Sequence, residues 1–272
     1  MRHLLSLSID TERIKPEQHQ QFPFSVGSIQ SLFDQELEFN SDVTFLVGEN
    51  GSGKSTLLEA IACAVGSITV GSESVERDPS LASVRQLAKS MRLSWRKKTK
   101  RGFFMRSEDF FAYAKNMRNA LEELQGQLRA VEEDRSLSPT ARAYGRVPFA
   151  SQAADLQRRY GDGLDNHSHG ESFFALFQSR FVPDGLYLLD EPEAPLSPLR
   201  QIGFMSLIKQ MVETQNAQFI IATHSPILMA FPKARILGFA AGGVREVAYG
   251  EVEHVTVTRD FLAHPERFLR HL

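Results

Sequence analysis

The chain has 272 residues, 42% of them hydrophobic and 24% charged, with one cysteine and a formal net charge of −2. That is enough apolar material for a sizeable core, in one α/β domain or two small ones. It excludes a disulfide framework within the chain, and the near-neutral balance gives no bulk attraction to nucleic acid or to an acidic membrane. No run approaches the ~18 apolar residues of a membrane span, and the N-terminal apolar stretch is too short for a signal peptide. The expected location is the cytoplasm.

In chain order, Leu4 to Ile9 alternates and predicts an edge strand. Residues 11 to 31, rich in Gln, Pro and Ser, predict an extended loop or weak hairpin. Leu37-Glu38-Phe39 and Val43 to Val47 predict strands joined by a turn at Asn40-Ser41-Asp42. The second strand runs into Gly48-Glu49-Asn50-Gly51-Ser52-Gly53-Lys54-Ser55-Thr56, and Leu57 to Ala62 follow with a helical pattern. Strand, glycine loop and helix are the context of a phosphate-binding P-loop. Its glycines let the backbone N–H groups of the loop turn inward, and the helix N-terminus adds a positive pole. Gly48, Asn50, Gly51, Ser52, Gly53, Lys54, Ser55 and Thr56 therefore form the expected nucleotide cradle. Lys54 would bridge the β- and γ-phosphates, and the Ser55 hydroxyl would ligate Mg²⁺. Upstream, Phe22 and Phe24 have two readings, stacking on an adenine ring or packing in the core.

The P-loop helix should run from Ser55 to about Val65, with Cys63 as a small core residue on its apolar face. Residues 66 to 79 predict a loop, and Leu81 to Met91 a short amphipathic helix. Leu93-Ser94-Trp95 and Gly102-Phe103-Phe104 predict a hairpin across the basic run Arg96 to Arg101. That run is either a solvated tip or a contact to a phosphate backbone or an acidic partner. Ser107 caps a predicted helix from Glu108 to about Glu133, apolar at helical spacing from Phe110 to Leu128. Residues 136 to 153, rich in Pro, Ser and Ala, predict a linker or mobile loop.

Three later stretches carry chemistry. Leu186-Tyr187-Leu188-Leu189-Asp190-Glu191-Pro192 predicts a buried strand delivering two acids at its C-terminal end, where ligands sit in a parallel sheet. Asp190 would belong to the Mg²⁺ shell, and Glu191 would accept a proton from water attacking the γ-phosphate. Phe219 to Ala222 predicts a second buried strand, tipped by Thr223 and His224, and His224 would hydrogen-bond the γ-phosphate. Asn166-His167-Ser168-His169-Gly170-Glu171-Ser172 opens the apolar helix Phe173 to Phe181 and makes another anion site. Since the P-loop already serves the chain's own nucleotide, this site points to a nucleotide held by a second copy. Beyond His224, residues 235–239 and 245–256 predict strands, followed by a closing helix.

The set Gly48 to Ser55, Ser168-His169-Gly170-Glu171-Ser172, Leu186 to Glu191 and His224 resembles an ABC-type ATPase in order and spacing. Asp190-Glu191-Pro192-Glu193 and the residues to Ser197 are similar to those of stand-alone bacterial members related to recombination and SMC-type ATPases. The signature departs from Leu-Ser-Gly-Gly-Gln, with His169 for the first Gly and Glu171 for the Gln. The place of the glutamine loop, Phe104 to Glu108, holds no glutamine, which leaves Glu108 as the candidate. The resemblance implies a P-loop NTPase fold of the ABC ATPase kind: a mostly parallel sheet flanked by helices, an antiparallel N-terminal sheet and a helical insertion. It implies one domain over 1–272, with the insertion at about 75–165. It further implies ATP and Mg²⁺ as ligands, catalysis by Lys54, Glu191 and His224, and Mg²⁺ held by Ser55 and Asp190. Two copies would pair head to tail, Ser168, Gly170 and Glu171 of one facing the γ-phosphate on Lys54 of the other. The role expected is a stand-alone ATPase of DNA transaction, repair or defence, with nucleic acid or an unidentified protein as partner. The alternative is the nucleotide-binding subunit of a membrane transporter, which would need a separate membrane partner.

Overall fold

A computed structural model describes residues 2–33, 35–70, 74–160, 169–240 and 242–270. The chain divides into two compact units, one made of 1–107 with 182–272 and the other of 108–181. The strands are β1 (Leu4–Ile9), β2 (Glu36–Glu38), β3 (Val43–Gly48), β4 (Met91–Trp95), β5 (Phe104–Arg106), β6 (Leu186–Asp190), β7 (Gln218–Ala222), β8 (Arg235–Ala240) and β9 (Gly243–Glu246). The helices are α1 (Gly27–Gln30), α2 (Lys54–Val65), α3 (Ala82–Ser90), α4 (Ser107–Glu133), α5 (Pro139–Tyr160), α6 (His169–Arg180), α7 (Pro198–Gln215), α8 (Pro226–Met229), α9 (Glu253–Ala263) and α10 (Pro265–Phe268).

The first unit holds a six-stranded sheet in the order β5-β6-β7-β3-β8-β9, parallel except for the antiparallel β8–β9 pair, and a separate antiparallel sheet in the order β2-β1-β4. Strands β6 and β7 are buried at every position, and β3 at every position before Gly48, as a sheet covered on both faces requires. One apolar core joins Leu7 and Leu37 of the small sheet, Leu57 and Ile61 of α2, and Leu188 and Ile220 of the parallel sheet. Helix α2 ends where Gly66 turns left-handed and Ser67 N–H donates to Ala62 O at 3.0 Å. Cys63 packs half-buried against this core, and burial pushes its thiol up to about 11, which makes it chemically inert.

A buried side chain of β7 ties the two sheets together. Gln218 is fully buried on β7; its Oε1 accepts from His3 N and Leu4 N, both at 2.8 Å, and its Nε2 donates to Leu4 O at 2.9 Å. Around β5, Arg106 pairs with Asp78 at 2.8 Å and approaches Glu59 of α2 at 3.8 Å, so a loop and a helix converge on the strand beside Asp190.

Within the second unit, α4 spans 27 residues and carries Glu108 and Asp109 in its first turn, which suits its positive end. Its Leu121 packs with Ala153 of α5, flanked by Met117, Leu124 and Leu156. Phe110 of α4 meets Phe173 of α6 edge-on, with ring centroids 5.2 Å apart.

Several expectations need correction. Strand β1 is central, not an edge, because β2 and β4 pair on either side of it. The segments 93–95 and 102–104 form no hairpin: β4 joins β1, while β5 runs parallel to β6 in the other sheet. The basic run between them crosses from sheet to sheet and is stitched to the start of β6. Thr99 Oγ1 donates to Asp184 O at 2.9 Å, Lys97 pairs with Asp184 at 3.1 Å, and Leu186 N–H donates to Arg101 O at 3.0 Å. Gly102 has φ +102°, and a Cβ there would fall 1.9 Å from Leu186 O, so only glycine permits this approach. Residues 139–153, within the stretch where a linker was expected, belong to helix α5: Ser138 Oγ accepts from Ala141 N at 3.2 Å, and the alanines outweigh the one interior proline, Pro148. Residues 253–256 are helix rather than strand, since Val252 and Val255 are buried at helical spacing. Residues 11–31 form two short 3₁₀ turns and α1 rather than a hairpin.

Candidate active site

The site is assembled at the C-terminal edge of the parallel sheet. Register aligns Leu46 of β3 with Ala222 of β7, and Ala222 in turn with Asp190 of β6, so the segments that follow emerge side by side. These are the glycine loop, the acidic pair and the Thr223-His224 turn. Gly48 has φ +145° and lies against β8, where a Cβ would stand 2.3 Å from Phe239 O. Behind the loop, the Ser28 hydroxyl of α1 donates to Ser52 O.

Lys54 is 4% exposed, and its ammonium donates to Gly48 O at 2.8 Å and Glu49 O at 2.9 Å. Burial lowers its pKa, against the pull of Asp190, Glu191, Glu49 and Glu193. The Ser55 hydroxyl donates to Asp190 Oδ1 at 3.1 Å, which joins the P-loop helix to the acidic strand. Burial pushes the Asp190 carboxyl up to about 6, with Glu191 adding to the rise and Ser55 and Lys54 opposing it. Glu191 takes a left-handed backbone, φ +49°, and its N–H donates to Ala222 O at 2.9 Å. A non-glycine residue in that region is uncommon, and here it turns the carboxylate out of the sheet edge, where it is 43% exposed.

His224 Nε2 stands 3.6 Å from Glu191 Oε1, and burial lowers the imidazole pKa with the charge of Lys54 as the next cause. Both causes favour the neutral ring. Its backbone N–H donates to Glu193 Oε1 at 2.8 Å, and burial raises the pKa of that carboxyl. Its Nδ1 lies 2.8 Å from His254 Nε2 of α9. Beside the loop, a cavity of about 550 Å³ is lined by residues that include Ser28, Asn50, Phe239, Arg245 and His254.

The structure thus brings together Gly48, Asn50, Gly51, Ser52, Gly53, Lys54, Ser55, Thr56, Asp190, Glu191 and His224 on one sheet edge. Ser168 lies outside the described residues; Gly170 and Glu171 are described only as part of α6. Glu108 opens the second unit within α4. Phe24 is buried in the core, whereas Phe22 is 56% exposed; neither lines the cavity beside the loop. Sequence reasoning assigned no role to Glu193, although it stood next to the acidic pair. It also passed over His254, which sits in a stretch read as strand.

The fold is an α/β one with a mostly parallel six-stranded sheet and a separate antiparallel sheet, and the glycine loop joins β3 to α2 as a phosphate-binding loop does. Residues 25–144 match a family model described as AAA domain, in agreement with the resemblance to ABC-type and SMC-type ATPases. No curated protein matches the chain. Solved structures similar to it include the ATP-binding cassette MJ0796 in a dimeric post-hydrolysis state bound to ADP and Pi (18% identity, 79% of this chain and 88% of that one, TM-score 0.40). Another is the Smc head domain of Pyrococcus furiosus bound to the C-terminal domain of ScpA (12% identity, 97% and 100%, TM-score 0.44). A third is cbiO1 of Clostridium perfringens, part of the ABC transporter complex cbiONQ (17% identity, 87% and 90%, TM-score 0.39).

Proposed function

We propose that the chain binds ATP with Mg²⁺ and hydrolyses it to ADP and phosphate. The observation that carries the reading is the Ser55–Asp190 hydrogen bond of 3.1 Å, made beside Lys54, Glu191 and His224 at one sheet edge. A hydroxyl and a carboxylate are the hard oxygen donors that suit Mg²⁺. A carboxyl driven up to about 6 by burial is one that a cation would relieve. The fit also has an electrostatic reason: Asp190, Glu191, Glu193 and Glu49 all act on the Lys54 ammonium, and so much negative charge disfavours a bare polyanion. Ser55 and Asp190 would hold the ion, which when bound supplies charge neutralisation at the phosphates.

In this reading Lys54 exchanges the Gly48 and Glu49 carbonyls for the β- and γ-phosphates. Glu191 takes a proton from the attacking water as its oxygen bonds to the γ-phosphorus and the bond to the β,γ-bridging oxygen breaks. His224 donates to a γ-phosphate oxygen. The nucleoside end would occupy the neighbouring cavity, whose volume of about 550 Å³ lies within the usual range for small-ligand sites. Two copies pair head to tail, with Ser168 and Gly170 of one capping the nucleotide of the other. The work driven is a DNA transaction in the cytoplasm; the Glu-Pro-Glu run at 191–193 and the altered signature favour this over a transporter subunit.

The test is the steady-state ATPase rate of the purified protein, with and without duplex or single-stranded DNA, beside Glu191→Gln. Loss of the base should lower the rate by ~10²–10⁴-fold while ATP binding persists. An unchanged rate would remove Glu191 from the reaction. A rate indifferent to DNA would overturn the DNA-transaction role and leave the hydrolysis standing.

A further inference from the structure

On the reading of this site as an ATPase, we propose that His254 is a positioning residue that holds His224 as the tautomer protonated at Nε2, making it a hydrogen-bond donor toward the γ-phosphate. The geometry carries it. His224 Nδ1 and His254 Nε2 are 2.8 Å apart, a hydrogen-bond distance, with ring centroids at 4.7 Å and planes at 65°. At this distance the two nitrogens share one proton, so one ring donates and the other accepts.

What faces the other nitrogen decides which. His224 Nε2 is buried without a hydrogen-bond partner, and the nearest carboxylate oxygen, Glu191 Oε1, is 3.6 Å away. If His224 donated through Nδ1, a bare Nε2 lone pair would face that carboxylate, and neither group could donate to a phosphate oxygen. If His254 donates, His224 presents Nε2–H to the carboxylate and to the γ-phosphate position. The backbone N–H of His224 is already committed to Glu193 Oε1, so the turn is held at two points and the ring direction is fixed. His254 reaches this position from the first turn of α9, 30 residues downstream in sequence, and also lines the cavity beside the P-loop.

The experiment has two parts. Nitrogen-15 NMR of histidine-labelled protein at pH 7.5, with His224 assigned through His224→Ala, reads the tautomer directly. The expected spectrum has His224 protonated at Nε2 and bare at Nδ1; the reverse pattern overturns the proposal whatever the enzyme does. Steady-state kinetics then compare His254→Ala with His254→Gln, whose terminal amide keeps a donor near the Nε2 position. The alanine change should lower kcat about tenfold with little effect on KM, as for one lost hydrogen bond, and glutamine should restore most of it. Equal rates for the two variants, or an unchanged rate for alanine, would overturn the positioning role. If the wild type shows no Glu191-dependent hydrolysis at all, the ATPase reading fails, while the spectrum still decides the tautomer.

Discussion

Asp190 is the residue whose chemistry is most altered by its place in the fold. Its carboxyl rises from 3.8 to about 6 because β6 buries it, and at neutral pH the folded chain holds a carboxylate that it would rather keep protonated. The sign follows: the native state binds the extra proton, so the stabilisation is full below the unfolded pKa and is lost as pH rises through about 6. At about 1.4 kcal/mol per tenfold, the ionised group costs about 3 kcal/mol above pH 7 in metal-free buffer. Asp190→Asn keeps an acceptor for Ser55 and should raise the unfolding temperature at pH 7.5 without Mg²⁺. The gain should shrink toward pH 4 as the wild-type group protonates, and the variant should not hydrolyse ATP. Thermal unfolding against pH checks this; a variant no more stable than wild type at pH 7.5 would mean that Lys54 already compensates the charge. The places of Asp190 at the end of a buried strand and of Lys54 after the glycine loop were legible in the sequence, because each lies in one short run. His254 was not, because its role arises from a contact made 30 residues away from His224 in sequence.

At the scale of elements, Gln218 shows how a strand can serve two sheets. Its amide answers two donors and one acceptor of β1 and the residue before it, with no solvent to substitute for it. Gln218→Leu would fill similar volume but orphan the His3 and Leu4 backbone groups, at a cost of about 1–3 kcal/mol for each unmet group. The expected result is a lower denaturant midpoint with earlier amide exchange at β1 than at β3; uniform exchange would mean that the two sheets unfold together. The buried strands β3, β6 and β7 were readable as continuous apolar runs, and α2 and α4 by their period. The 93–104 pairing was misread because local alternation cannot say which sheet a strand joins: Thr99, Gly102 and Asp184 send β5 to β6 through contacts distant in sequence. The helix from 139 to 153 was missed because Pro and Ser were taken as punctuation, although Pro139 and Ser138 sit at a helix start, where both are favoured.

At the scale of the whole molecule, the proposed composite site requires that no single chain be a complete enzyme. The P-loop, Asp190, Glu191 and His224 belong to the first unit and Gly170 and Glu171 to the second, and the proposal sets the latter across a partner's nucleotide. Glu191→Gln, which binds ATP but turns over slowly, should therefore accumulate as a dimer with Mg·ATP and be monomeric without it, read by sizing with light scattering. Complementation makes the sharper case. Lys54→Ala lacks the phosphate cation, and Gly170→Asp sets a like charge against the partner's γ-phosphate, so each variant alone should be inactive. Mixed head to tail, they form one dead site, from the two altered surfaces, and one intact site, from the Gly170→Asp chain's Lys54 and the Lys54→Ala chain's Gly170. The mixture should regain hydrolysis as the second variant is titrated in, saturating near equal amounts. Activity that stays absent at every ratio, with both variants folded, would mean that the signature run acts on its own chain's nucleotide or on none.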